Sequence, residues 1–170
     1  MCVCGIWFRR FEYRSIYAPL KIPNRELTGT ESERKLRATV LLVDSDLGFV
    51  FWLGHALDSA GYTAVPAQCT KDARELIQKH RIPVDILVID PLLPDAFPFI
   101  FQLRQSQRSV AVVAAIAEDW EELPPMTEVD AVIRKPRRLT LMAAVQWINL
   151  IQDLSAKAAE AISDKSHQRF

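Results

Sequence analysis

Apolar residues fall into short unbroken runs that alternate with longer segments where they recur every three or four positions. Val40 to Val43 is one such run and closes on Asp44, the pattern of a strand buried on both faces of a parallel sheet. From Gly48 to Ala60 the apolar positions Phe49, Leu53, Ala56, Leu57 and Ala60 keep a helical spacing, and Gly61 follows as a stop. Tyr62 to Ala67 reads as a second strand, after which Thr70 is expected to cap a helix running through Leu76 and Ile77 to about His80. Val84 to Ile89 is a third strand and again closes on a carboxylate, Asp90. A helix from about Pro98 to Ser106, a strand from Val110 to Ala115, a fifth strand from Ala131 to Lys135 and a last helix from Leu139 onward complete the alternation.

Two segments depart from this regularity. Glu118 to Val129 contains Pro124 and Pro125, and because proline lacks the N–H and clashes inside a helix, no full helix is expected there. The last helix is longer than one sheet needs. Leu141, Val145, Ile148, Ile151 and Leu154 form a stripe expected to pack on the sheet. Ala158, Ala161 and Ile162 continue the spacing into an alanine-rich tail, which either pairs with a second copy as a homodimer or frays.

Strands and helices in alternation, with short connections, predict a flavodoxin-like doubly wound α/β fold. This is a three-layer sandwich with a five-stranded parallel sheet, right-handed crossovers and helices on both faces. In open sheets of this kind chemistry gathers at the carboxyl ends of the strands. Asp44, Asp90 and Lys135 all stand at such ends.

Around this patterned region, residues 38–154, lie an N-terminal extension (1–37) and a helical or frayed tail (155–170). The extension mixes Trp7, Phe8, Phe11, Tyr13 and Tyr17 with Arg9, Arg10 and Arg14. Its eight basic and four acidic residues give it a net charge of +4 and leave −4 for the remainder, since the whole chain sums to zero. Such a segment suits a membrane surface or a nucleic acid; the plainer expectation is a poorly ordered leader. With 21 basic and 21 acidic side chains, the protein has no overall field to hold a polyanion, so no nucleic acid is expected as a partner. No apolar run is long enough to cross a bilayer, and no membrane partner is expected either. Cys2, Cys4 and Cys69 form no disulfide framework, which points to the reducing cytoplasm. No nucleophile motif, phosphate-cradling glycine loop or dinucleotide fingerprint is present, and the chain is not expected to be an enzyme.

Val43 to Asp46 after the first strand, Ile89 to Pro94 after the third, and Lys135 with Pro136 after the fifth resemble the response-regulator receiver family. The resemblance covers about Ala38 to Leu154. It implies a single-domain response regulator in a two-component phosphorelay, with Asp90 accepting a phosphoryl group from a histidine kinase or phosphotransfer protein and the modified chain signalling by contact with a downstream protein. Lys135 and Ala117 would hold the phosphate, and Asp44, Asp90 and the backbone carbonyl of Leu92 would hold magnesium, a hard cation that prefers oxygen. The family's lysine precedes a cis proline, a geometry that Pro136 permits.

The sequence also departs from the family. Ser45 stands where a second metal-binding acid is usual, so magnesium binding is expected to be weak, with Asp46 as a nearby substitute. Ile116 replaces the hydroxyl residue that senses the phosphate, and it cannot hydrogen-bond an oxygen. Val132 replaces the aromatic residue that moves with that hydroxyl. These three changes favour a second expectation, a pseudo-receiver that binds a protein partner without phosphorylation. Against both stands a plain structural reading, in which Asp44 and Asp90 only cap turns and Lys135 is a solvated strand end. His55 and His80 have no partners at metal-ligand spacing.

Overall fold

A computed structural model describes residues 38–107, 109–118, 120 and 127–167, with side chains described as far as residue 158. The extension read above as residues 1–37 lies outside the described residues. In chain order the elements are β1 (Thr39–Val43), α1 (Leu47–Ser59), β2 (Thr63–Ala67), α2 (Thr70–His80), β3 (Ile86–Ile89), α3 (Ala96–Ser106), β4 (Ala111–Ile116), β5 (Ala131–Arg134) and α4 (Leu141–His167). All neighbouring strands pair in parallel, in the order β2-β1-β3-β4-β5. This is the doubly wound α/β arrangement, and its strand order reverses between β1 and β3.

The unbroken apolar runs follow from burial on both sides. Along β1, Val40 and Leu42 point into a core with α1 and α4, where they meet Phe49, Leu53, Leu57, Trp147 and Ile151. Leu41 and Val43 point into the opposite core with α2 and α3, against Ala73, Phe99, Ile100 and Leu103. Alternation along a strand therefore loads both cores, and no polar position is tolerated between them.

Local chemistry fixes the helix ends. Asp46 caps α1, its carboxylate accepting from the backbone N–H of Phe49 at 3.1 Å. Gly61 leaves α1 at φ 87°, a left-handed conformation that a side chain would disfavour. α2 begins differently from the sequence expectation. Thr70 is its first helical residue, Cys69 holds the cap position, and the Thr70 hydroxyl donates instead to the Pro94 carbonyl at 3.2 Å. The hydroxyl thus ties α2 to the loop after β3 rather than to its own helix.

Among the described residues no helix intervenes between β4 and β5. The prolines invoked for that break, Pro124 and Pro125, lie outside them. Asp130 closes the connection by accepting from the backbone N–H of Val112 at 2.7 Å, while its own N–H donates to the Val112 carbonyl at 2.8 Å.

The buried face of α4 matches the predicted stripe at Ile151 and Leu154, with Ile148 packed against the core, and departs from it at Leu141 and Val145. Ala143, Ala144, Trp147, Ile151 and Leu154 are buried, whereas Leu141 and Val145 are exposed and Ile148 is half-buried. Apolar residues on this helix occupy two adjoining faces, and the one carrying the indole wins because it removes the largest apolar area from water. Trp147→Ala is accordingly expected to cost about 3 to 5 kcal/mol, and Leu141→Ala to stay within about 0.5 kcal/mol of the parent. Urea denaturation of the two variants checks this; equal losses would contradict the assigned face.

Candidate functional site

Three backbone hydrogen bonds extend the sheet one residue beyond its strands and aim the predicted side chains. The N–H of Asp44 donates to Ala67, that of Asp90 to Val43, and that of Lys135 to Ile116, at 3.2, 3.0 and 2.7 Å. The carboxyl ends of β1, β3 and β5 thereby present two acids and an amine to the same cleft.

Lys135 Nζ lies 2.6 Å from Asp44 Oδ2 and 2.9 Å from Asp90 Oδ2. The contact with Asp90 has hydrogen-bond geometry. The contact with Asp44 is a close ion pair, so the buried Oδ2 of Asp44 lies directly against the Lys135 ammonium. The other carboxylate oxygens are held by the main chain. Asp44 Oδ1 accepts from the N–H of Asp46, and Asp90 Oδ1 from the N–H of Leu92, both at 2.9 Å. The two acids differ in access: Asp44 is 2% exposed, while Asp90 is half-buried and open to a reactant.

Burial pushes the Asp44 carboxyl above its ordinary pKa of 3.8, and it outweighs the pull of the Lys135 ammonium and of the Asp46 N–H in the opposite direction. Burial pushes the Lys135 ammonium down, but the carboxylates of Asp44 and Asp90 together prevail and hold it above its ordinary 10.5. A carboxyl with a raised folded pKa binds its proton more tightly when folded than when unfolded. Its ionisation therefore removes stability as pH rises from about 3.8 through the folded value. The lysine works the other way: its stabilisation is complete below 10.5 and is lost as pH rises through its folded value.

The departures take definite places. Ser45 is exposed beside the cleft. The Asp46 carboxylate uses its Oδ1 at the cap of α1, accepting from the Phe49 N–H. Ile116 is buried at the end of β4, and Val132 is 41% exposed on β5. Ala117 is half-buried just beyond β4, and Leu92 is exposed after β3. All described peptide bonds are trans, so the bond before Pro136 lacks the cis geometry that the resemblance implied.

Among the described residues no group of three or more His, Cys, Asp or Glu side chains gathers to hold a metal. The cleft offers two carboxylates, each with one oxygen bound to a backbone N–H and the other against Lys135. That donor set fits a magnesium ion poorly, since a hard divalent cation needs more free anionic oxygen than remains.

One neighbour of the ammonium has no signature along the chain. Lys135 Nζ stands over the ring of Phe49, 5.6 Å from its centroid. Phe49 reads from sequence as one more core position of α1, and only its place in the first turn, directly under the cleft, distinguishes it.

No protein-family model matches the chain, and no curated protein matches it. Solved structures do. A receiver domain protein from Methanospirillum hungatei aligns with a TM-score of 0.61 at 15% identity, over 74% of this chain and 98% of that one. A receiver protein from Burkholderia phymatum aligns at 0.58 and 18% identity, over 71% and 96%. The receiver domain of a Francisella response regulator aligns at 0.56 and 21% identity, over 71% and 98%.

Two expectations follow from the cleft. Asp44→Asn should raise the melting temperature near neutral pH, with the gain shrinking as pH falls toward 3.8; a lower melting temperature at pH 7 would contradict the assigned cost of ionisation. Ser45→Asp adds an acid at an exposed site where solvent screens it, so the gain sits at the low end of the Coulomb range. About 1.4 kcal/mol, or roughly tenfold tighter magnesium binding, is expected by calorimetry, and unchanged affinity would contradict it. In architecture and strand order, the chain has the fold of the response-regulator receiver domains, in a divergent form.

Proposed function

We propose that this chain is a cytoplasmic receiver module of two-component signalling. Asp90 accepts a phosphoryl group from the phosphohistidine of a histidine kinase or phosphotransfer protein, and the modified chain signals through contact with a downstream protein. The observation that carries this reading is the Lys135 ammonium, which reaches from the end of β5 to carboxylates at the ends of β1 and β3. An acid that only capped a turn would not need that lysine.

The chemistry asks little of the protein beyond placement and charge. A carboxylate oxygen of Asp90 attacks phosphorus, the phosphorus–nitrogen bond breaks, and its electron pair leaves with the imidazole, which is protonated from solvent. Negative charge spreads over the three phosphoryl oxygens during transfer. Lys135 lies at hydrogen-bond distance from the attacking carboxylate and can follow that charge. The N–H of Leu92 fixes the other oxygen of Asp90 and limits its rotation. In this reading the backbone of Ala117 offers a further contact to the phosphoryl group. Magnesium, with which receiver domains typically work, would find Asp44, Asp90 and the Leu92 carbonyl here, and the poor donor set makes its contribution weak.

A second reading has its own support. Ile116 and Val132 present only hydrocarbon where an oxygen-sensing pair would be needed, which favours a pseudo-receiver whose partner recognises the folded surface without phosphorylation. Incubation with magnesium and acetyl phosphate separates the two. A base-labile adduct of one phosphoryl group, located on Asp90 and abolished in Asp90→Asn, is expected. Absence of any adduct under conditions that label a control receiver overturns the first reading in favour of the second.

A further inference from the structure

The ammonium of Lys135 has a third neighbour besides its two carboxylates: the face of Phe49, whose ring is 2% exposed. Phe49 in turn meets Trp147 of α4 edge to face, with centroids 5.3 Å apart and planes at 62°. Trp147 is itself 1% exposed, so the ring pair is enclosed. A continuous line of contacts therefore runs from the cleft, through the first turn of α1, to the second turn of the last helix. At the β4 and β5 positions, by contrast, Ile116 has no group that binds an oxygen and Val132 is an exposed aliphatic.

We propose that Phe49 is a positioning residue for Lys135, and that the Lys135–Phe49–Trp147 contacts carry the state of the cleft to α4. The attraction between an ammonium and the negative face of a ring depends on the cation's position over that face. When new negative charge appears on Asp90, the ammonium recentres on it and its hold on the ring changes. The ring cannot yield locally, because a close-packed core has no free volume to absorb the shift. Trp147 moves with it, and α4 carries the change to its exposed first turns, where Met142 and Val145 stand. The final part of this route rests on the proposed phosphorylation of Asp90; the coupling of Lys135 to Trp147 does not.

Labelling the full chain with 5-fluorotryptophan gives one fluorine signal for each of its four tryptophans, and Trp147→Phe identifies the signal of interest. In the first arm no phosphodonor is used. Lys135→Met should displace the Trp147 signal by more than its linewidth, and the same change made in a Phe49→Leu background should displace it by less than half as much. Equal displacement in both backgrounds, or none in either, overturns the proposal. If Phe49→Leu fails to fold, trifluorinated phenylalanine at position 49 keeps the ring's shape while removing its negative face, and it should weaken the displacement in the same way.

The second arm adds acetyl phosphate and reads the mass adduct and the Trp147 signal from one sample. The adduct should move the signal in the parent chain and leave it in place when Phe49 is leucine. An adduct that leaves the parent signal unmoved overturns the route to α4. If no adduct forms, the proposed function fails, and the first arm alone decides the coupling.

Discussion

The site depends on one ammonium group held between two carboxylates. Lys135 belongs to β5, whereas Asp44 and Asp90 follow β1 and β3, so the contact exists only if the sheet is built in this order and register. β4 lies between β3 and β5, and the lysine must span it with its side chain. Each of the three residues is pinned by a backbone hydrogen bond that continues a strand pairing past its end. The two cores fix the sheet, the sheet fixes the strand ends, and the strand ends bring the three charges together.

The cleft is not a comfortable arrangement. Asp44 is driven toward its neutral form by burial, against the pull of the Lys135 ammonium on its Oδ2. A protein selected for stability alone has little reason to bury such a group, because an imperfectly solvated charge usually costs more than its pairing returns. Functional sites are where that cost is commonly tolerated. The same reasoning gives weight to the departures. With Ser45 in place of an acid and Asp46 Oδ1 at the cap of α1, the Lys135 ammonium is the cation that the carboxylates of Asp44 and Asp90 meet.

Much of this was legible in the sequence because two strong physical signals agreed. Continuous apolar runs ending in a carboxylate marked β1 and β3, and Lys135 with Pro136 marked the end of β5; from these the sheet and the convergence of Asp44, Asp90 and Lys135 could be read. What was misread involves competition between near-equal local choices. Thr70 was a good cap by composition, but its hydroxyl found a carbonyl in the loop after β3 instead. On α4 two apolar faces adjoin, and spacing alone could not say that Trp147, rather than Leu141 and Val145, would face the core. Phe49 was legible as a core residue but not as a neighbour of the ammonium, because that contact is created by the meeting of α1 and β5 and has no signature along the chain.

The most direct test of the account is a crystal structure of the chain grown with magnesium and beryllofluoride, which mimics a phosphoryl group on a carboxylate. The account predicts the fluoride adduct on a carboxylate oxygen of Asp90, with Lys135 Nζ at hydrogen-bond distance from it. An unmodified Asp90 with Lys135 turned away from both Asp44 and Asp90 into solvent would contradict it.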